Sequence, residues 1–206
     1  MKNQNKKEQG KHKNIKGKNG KSKDMLIPTD ADDILLGGNK SEVIKGGLGN
    51  DKISGRNGKD TLYGEAGNDE LTGGNGNDIL VGMNAIPAAP SPAGTTPTAP
   101  TPAPEVDILI GGNGKDTFVL GQAGMAFYTS AADADYAVIK DFKQADRIQL
   151  SGLPTSYTVG ATATGAGIYM SKVDPTTGAQ SSELIAVLEG VNATSVNLSA
   201  RNFVFV

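Results

Sequence analysis

Residues 46–81 read GGLGNDKISGRNGKDTLYGEAGNDELTGGNGNDILV, which divides into four consecutive blocks of nine residues. Each of these blocks has aspartate at its sixth position and isoleucine or leucine at its eighth. A fifth block, GGNGKDTFV, follows at 111–119, and a degenerate block, GGNKSEVIK, precedes them at 37–45. A short internal period of this kind predicts a stack of structural repeats.

The positions of the nine-residue block have distinct physical roles. Glycine at the first, second and fourth positions allows positive φ angles and close backbone approach in a tight turn. The sixth-position aspartate offers a hard carboxylate oxygen. Positions seven to nine predict a three-residue strand whose central side chain is buried. That central residue is apolar in every copy: Leu35, Ile44, Ile53, Leu62, Leu71, Leu80, Leu109 and Phe118.

The block resembles the nonapeptide of the repeats-in-toxin (RTX, hemolysin-type) family, G-G-x-G-x-D-x-U-x with U apolar, which binds calcium. The resemblance covers about residues 31–120. It implies an all-β fold, a right-handed parallel β-roll (a β-helix) of nonapeptide repeats that ends in a C-terminal β cap. In such a roll two repeats form one coil, and Ca²⁺ ions lie between successive coils.

Because one coil takes two repeats, acidic residues eighteen positions apart are expected to stack. The first acid column holds Asp33, Asp51, Asp69 and Asp107, and the second acid column holds Glu42, Asp60, Asp78 and Asp116. The resemblance implies that each Ca²⁺ takes carboxylates from two stacked neighbours and carbonyl oxygens from the turns. The turn residues concerned are Gly46, Leu48, Gly55, Asn57, Gly64, Ala66, Gly73, Asn75, Gly111 and Asn113.

The pattern supports about four ions, in the gaps Asp51/Asp69, Asp60/Asp78, Asp69/Asp107 and Asp78/Asp116. The Glu42/Asp60 gap departs from the repeat pattern, because Lys40 replaces the fourth-position glycine and the Glu42 side chain is one methylene longer than that of aspartate. At the Asp69/Asp107 gap Glu105 replaces the fourth-position glycine. Without calcium the stacked carboxylates would repel one another, so we expect calcium binding and folding to be coupled.

A Pro-, Ala- and Thr-rich run, residues 85–104, interrupts the repeats without changing their phase. Asp78 and Asp107 are 29 residues apart, which is one repeat plus twenty residues. The run is therefore inserted into the turn of one block, and Asp78 should still stack on Asp116. Its composition favours an extended, partly polyproline-II loop. It is interpreted as a tolerated surface insertion, a glycosylated spike or a proline-motif ligand.

Charge is distributed unevenly along the chain. Residues 1–24 carry nine lysines, whereas residues 25–206 carry 11 basic and 20 acidic residues, a net charge of −9. We expect residues 1–29 to form a disordered basic tail that is either simply solvated or attracted to polyanions such as cell-surface glycans. The tail has no interleaved aromatic residues, so specific nucleic-acid binding is not expected.

Composition also excludes several classes of site. The chain has no cysteine and a single histidine, His12 in the tail, which excludes disulfides and leaves little for a zinc site or a His-based triad. No run of 18 apolar residues predicts a membrane span. After the basic start only Met25-Leu26-Ile27 are apolar, so no Sec-type signal is expected.

Residues 121–206 are expected to form the C-terminal β cap and to include an uncleaved secretion signal. Strands are predicted at 136–139 and 148–150, a hairpin pairs 167–173 with 183–191, and residues 202–206 form a final strand. Asp141 and Asp146 are candidates either for a further ion or for ordinary turns and surface charge.

Together these observations predict a secreted, extracellular, non-enzymatic protein whose residues 30–120 form a calcium-binding β-roll. The resemblance implies export by a type I (ABC) machinery. About thirty residues precede the roll, which is too few for the catalytic domain that enzymes of the family carry there. Two alternatives stay open: a calcium-stabilised protein that binds polyanions or surface glycans through its tail, and a non-catalytic fragment of a larger RTX toxin or enzyme.

Overall fold

The computed structural model describes residues 14–16, 29–83, 104–129, 134–173 and 176–206. Within these residues strands dominate, and helix is confined to short 3-10 turns such as Pro154–Ser156 and Ala193–Ser195. No helix in the described part of the chain is long and apolar enough to cross a membrane. The insertion at 85–104 lies outside the described residues except for its last residue. The basic tail also lies outside them, apart from residues 14–16 and 29.

The strands are numbered in chain order. They are β1 Asn14–Lys16, β2 Ile34–Leu36, β3 Val43–Leu48, β4 Lys52–Asn57, β5 Thr61–Ala66, β6 Glu70–Asn75, β7 Ile79–Met83, β8 Val106–Asn113, β9 Thr117–Val119, β10 Gly121–Gln122, β11 Met125–Ala126, β12 Tyr136–Ile139, β13 Arg147–Leu150, β14 Tyr157–Ala161, β15 Gly165–Val173, β16 Gln180–Glu189 and β17 Phe203–Phe205. Strand β1 lies within the segment predicted to be disordered and pairs in parallel with β2.

Successive repeats alternate between two sheets, and the strands of the repeats run parallel within each sheet. One sheet has the strand order β1-β2-β4-β6-β8-β12-β16-β15-β14, and the other has the order β17-β13-β9-β7-β5-β3. Paired residues in neighbouring repeats of a sheet are eighteen positions apart, as in Ile53 with Leu71 and Leu62 with Leu80. One coil therefore takes two repeats, which confirms the predicted stacking of an all-β, parallel architecture.

The strands in the repeats are longer than the three residues that the pattern predicts. Strand β4, for example, spans six residues, because the first residues of the next block also pair across coils: Arg56 with Gly74, and Asn57 with Asn75. The Asn75 side-chain amide donates to the Asn57 side-chain oxygen at 2.8 Å, and Asn113 donates to Asn75 at 2.9 Å. Turn residues therefore form ladders of their own, which extends the strands into the turns.

The core is a double stack of apolar side chains between the two sheets. All eight central residues of the repeats are at most 2% exposed, as predicted: Leu35, Ile44, Ile53, Leu62, Leu71, Leu80, Leu109 and Phe118. Fully burying one such side chain contributes about 1.5–3 kcal/mol, so this ladder is the main apolar contribution of each repeat.

The C-terminal region continues both sheets. Strand β12 pairs in parallel with β8, and β13 pairs in parallel with β9. The predicted strands at 136–139 and 148–150 and the antiparallel β15–β16 hairpin are confirmed, and β17 occupies part of the predicted 202–206 strand. Strand β14, which pairs with β15, was not predicted. Its polar and glycine-containing sequence, YTVGA, has no period-two pattern strong enough to identify it.

The insertion leaves the register of the coils intact. Strand β8, beyond the insertion, pairs with β6 so that Glu70 meets Ile108, and β9 pairs with β7 so that Ile79 meets Thr117. Both pairings match the prediction. The paired residues are 38 positions apart, which is the eighteen residues of one coil plus the twenty inserted residues.

We expect deletion of residues 85–104 to leave the fold and its metal response intact. The deletion joins Asn84 to Glu105 and restores a nine-residue block, GMNEVDILI. Shortening the loop should raise the free energy of unfolding by about 2 kcal/mol at most, because each doubling of loop length costs only about 0.6 kcal/mol. Chemical unfolding of the deleted and full chains tests this. A deleted chain that no longer folds would contradict the predicted register.

Candidate metal centre

The aspartates of each acid column are linked by hydrogen bonds from coil to coil. The backbone N–H of Asp33 donates to Asp51 Oδ1 at 2.7 Å, and that of Asp51 donates to Asp69 Oδ1 at 2.7 Å. In the second column the N–H of Asp60 donates to Asp78 Oδ1 at 2.8 Å. These bonds place every carboxylate between two coils, at the edge of the apolar core.

The columns continue across the insertion. The N–H of Asp69 donates to Asp107 Oδ1 at 2.8 Å, and the N–H of Asp78 donates to Asp116 Oδ1 at 2.9 Å. Each of these pairs is 38 residues apart in the chain. The predicted stacking of Asp78 on Asp116 is therefore confirmed.

The second carboxylate oxygen has no comparable partner. The Oδ2 atoms of five buried aspartates lack any hydrogen bond: Asp51, Asp60, Asp69, Asp78 and Asp116. Asp33 has an unpartnered Oδ1 instead, because its Oδ2 accepts hydrogen bonds from the backbone and hydroxyl of Thr29. A buried, ionised oxygen without a partner costs several kcal/mol. The fold therefore contains a row of acceptors, without protein partners, that a cation or a proton can satisfy.

Glycine at the first position of the block places no side-chain atom beside these oxygens, where a Cβ would collide with them. A Cβ on Gly46 would lie less than 3.0 Å from both Asp51 Oδ2 and the carbonyl oxygen of Gly64. We call such a space, bounded by one Oδ2 and one carbonyl of the next coil, a cradle. The other cradles are at Gly55 (Asp60 Oδ2, Gly73 O), Gly64 (Asp69 Oδ2, Gly82 O) and Gly73 (Asp78 Oδ2, Gly111 O). The four cradles coincide with the four gaps that the sequence supports.

The donor atoms around a cradle are carboxylate and carbonyl oxygens, which are the ligands that Ca²⁺ prefers. The residues present therefore fit calcium, with two stacked aspartates and a first-position glycine contributing to each gap. Within the described residues no three acidic or histidine side chains converge on one point. The further protein ligands beside each gap are therefore backbone carbonyls. Five other predicted carbonyl ligands lie at strand ends in the turns, and their role stays a prediction: Leu48, Asn57, Ala66, Asn75 and Asn113.

Burial raises the pKa of six column carboxylates in the metal-free fold: Asp51, Asp60, Asp69, Asp78, Asp107 and Asp116. The pKa is about 6 for Asp51 and Asp60, and about 8 for Asp69. Loss of hydration is the main cause in each case, and the negative charges of neighbouring column residues add to it. A metal-free column is therefore partly protonated near neutral pH.

Glu42 departs from the column in the way the sequence indicates. Its backbone N–H donates to Asp60 Oδ1 at 2.8 Å, so it stacks like the other members. Its longer side chain, however, turns back and accepts a hydrogen bond from the backbone of Gly38 at 3.0 Å. The carboxylate is thereby partnered within its own turn.

Glu105 contributes more than the sequence reveals. It replaces a turn glycine, and its Oε1 accepts a hydrogen bond at 3.1 Å from the backbone of Gly67 in the preceding coil. Burial, followed by the nearby Asp107, raises the pKa of Glu105 to about 7. A further negative group therefore lies beside the Asp69/Asp107 gap.

Tyr128 ends the first acid column, and the sequence did not identify it. Its hydroxyl donates to Asp107 Oδ2 at 2.6 Å and accepts the backbone N–H of Met83 at 3.1 Å. A Cβ on Gly82 would collide with this hydroxyl, so the phenol fills the space that is a cradle elsewhere. Ala137 pairs with Asp107 in the next strand, so no further carboxylate stacks there. Tyr128 follows the repeats and has no periodic signal.

The second acid column continues beyond the repeats into Asp146. The N–H of Asp116 donates to Asp146 Oδ1 at 3.0 Å, while Asp146 Oδ2 accepts the N–H of Lys143 at 2.8 Å. Asp141 instead accepts the backbone N–H groups of Gly111 and Gly112, both at 2.8 Å. Asp141 therefore stabilises a turn, and whether Asp146 binds an ion stays open.

The comparison with protein families agrees with this geometry. The family model of the RTX calcium-binding nonapeptide repeat matches four segments: residues 29–62, 36–71, 54–84 and 106–122. These segments are RTX calcium-binding nonapeptide repeats. The RTX repeats imply calcium binding, and the unpartnered Oδ2 atoms lie within the matched segments.

No curated protein matches the chain. Among solved structures, the chain is similar to the solution structure of the AlgE6R3 subunit of the Azotobacter vinelandii mannuronan C5-epimerase. That similarity has 23% sequence identity and a TM-score of 0.42, and covers 91% of this chain and 86% of that one.

We expect Tyr128→Phe to lower the free energy of unfolding by about 1–3 kcal/mol, because it leaves Asp107 Oδ2 buried without a donor. Tyr157→Phe is the matched control. Its hydroxyl donates to the Ser151 carbonyl at 2.8 Å, a neutral bond worth about 0.5–1.5 kcal/mol. Urea unfolding at saturating calcium measures both variants. A loss for Tyr128→Phe no larger than the control would contradict the role of Tyr128.

The raised pKa values predict how the metal-free fold responds to pH. A carboxylate whose folded pKa exceeds its unfolded value of about 3.8 stabilises the fold at low pH. That stability is lost as pH rises through about 6 to 8. In buffer stripped of metal, the circular dichroism β signal should therefore be stronger at pH 5 than at pH 8. In saturating calcium the order should reverse, because calcium binds the ionised form. A stronger metal-free signal at pH 8 would contradict this.

Proposed function

We propose that this chain is a secreted, non-enzymatic protein whose RTX repeats bind several structural Ca²⁺ ions and fold when they do. The observation that carries the proposal is the row of buried, unpartnered Oδ2 atoms at the cradles, each beside a carbonyl oxygen of the next coil. In the proposed holo form the repeats are a right-handed β-roll with about four ions. Strands β12 to β17 then cover its C-terminal end.

The coupling of folding to calcium rests on an energy balance. The repeats contribute one fully buried apolar side chain each, while their glycines lose more backbone entropy on folding than any other residue type. The ionised columns add repulsion and desolvation at pH 7. Calcium removes both penalties and links successive coils, so most of its binding energy appears as folding energy.

Export follows from the same coupling. We propose that the chain remains unfolded where calcium is scarce, is threaded through a type I (ABC) exporter, and folds in extracellular calcium of about 10⁻⁴ to 10⁻³ M. The apolar end Phe203-Val204-Phe205-Val206 is the proposed position of the secretion signal. Two alternative functions are kept beside this proposal. The chain could be a polyanion- or glycan-binding protein that acts through its tail, or a non-catalytic part of a larger RTX toxin or enzyme.

We expect calcium to convert the chain from a largely unfolded to a β-rich state at pH 7.5. Far-ultraviolet circular dichroism in EGTA, and again after excess calcium, measures the change. Magnesium at the same concentration is the control, because it demands octahedral geometry and dehydrates reluctantly, so it should not replace calcium. An unchanged β signal in EGTA would refute the coupling of folding to calcium. An equal response to magnesium would refute calcium selectivity.

A further inference from the structure

A wide groove runs along the second acid column, across the coils. Its volume is about 890 Å³, and it extends from the repeats to the C-terminal region. Its lining includes five cations: Lys59, Lys115, Lys143, Arg147 and Arg201. Residues 25–206 hold 11 basic residues against 20 acidic ones, so nearly half of the cations in an acidic body lie in this one groove.

The repeat geometry places these cations in a row. Lys59 and Lys115 both occupy the fifth position of their blocks, with Asn77 stacked between them. Since neighbouring coils are about 4.8 Å apart, the two lysine backbones are separated by roughly 10 Å along the groove. Arg147 pairs with Thr117 one coil further on. The row therefore follows the long axis of the stacked coils, as a linear ligand would.

The other groove residues are mostly polar and none is aromatic, although Ile79 and Ala145 are apolar. Asn77, Thr117, Gln144 and Asn202 offer amides and a hydroxyl, which can hydrogen-bond to sugar hydroxyls. Single-stranded nucleic acid is held by aromatic side chains on which its bases stack, and no aromatic residue is among those that line the groove. The chemistry therefore favours a glycan over a nucleic acid.

Two carboxylates of the second acid column, Asp78 and Asp146, also border the groove. Both are at most 1% exposed, whereas Lys59, Lys115, Lys143, Arg147 and Arg201 are exposed. A cation at Asp78 Oδ2 would neutralise the nearest negative charge and leave the groove more strongly positive.

We propose that this groove binds a linear anionic polysaccharide, in addition to any attraction by the basic tail. The cations contact carboxylate or sulfate groups along the glycan, and the amides contact its hydroxyls. The site belongs to the folded body and not to the tail.

The test uses the full chain in saturating calcium, with dextran sulfate as the probe and uncharged dextran as the backbone control. The groove variant is Lys59→Asn with Lys115→Asn, because asparagine occupies the same block position at Asn50, Asn68 and Asn77. The matched variant, Lys52→Gln with Lys140→Gln, removes the same charge from exposed positions of the other sheet. The circular dichroism of both variants in calcium checks that they fold.

We expect the groove variant to bind dextran sulfate about 2- to 30-fold more weakly, from about 0.2–1 kcal/mol per exposed ion pair, and the matched variant to bind nearly normally. A short dextran sulfate should also shift the amide NMR signals of Thr117, Arg147 and Asn202. Equal weakening in both variants, or signal shifts confined to the tail, would overturn the proposal. An equal loss of oligothymidylate binding in the groove variant would overturn the assignment to a glycan.

Discussion

The structure depends on carboxylates that the fold buries but only half satisfies. In each coil one aspartate oxygen accepts a backbone N–H from the preceding coil, and the other points into a cradle bounded by a carbonyl of the next coil. The first bond sets the vertical spacing and register of the stack. The second oxygen makes the stack conditional, because burying an unpaired charge opposes folding until a cation arrives. Sheet pairing, glycine turns and the apolar ladder all place these oxygens and cannot by themselves satisfy them.

The two ends of the columns show how the chain limits this arrangement. At the end of the first column the Tyr128 phenol donates to Asp107 Oδ2 and fills the space of the next cradle. At the start of that column Thr29 donates twice to Asp33. In both places an ordinary hydrogen-bond donor occupies the Oδ2 atom that the interior aspartates leave unpartnered. Asp33 nevertheless keeps an unpartnered Oδ1.

The sequence predicted the part of the fold that is periodic. The nine-residue spacing of the aspartates identified the buried ladder and carried the register across the insertion to Asp107 and Asp116. Together with the two-repeat coil that the resemblance implies, it also assigned the two acid columns. The sequence pattern could not predict contacts that occur only once in the structure and are not repeated from coil to coil. Tyr128, the reach of Glu105 to Gly67 and the antiparallel strand β14 come from segments that approach the roll in space, and local pattern carries no information about such approaches. Strand lengths were underestimated because pairing between turns is a property of the stack and not of one block.

The central claim is that the unpartnered Oδ2 atoms are calcium ligands. The most direct test is anomalous diffraction from crystals of the full chain grown in calcium. We expect calcium peaks beside the Oδ2 atoms of Asp51, Asp60, Asp69 and Asp78, and none between Tyr128 and Asp107. A folded structure in saturating calcium with no peaks at those four oxygens would contradict it.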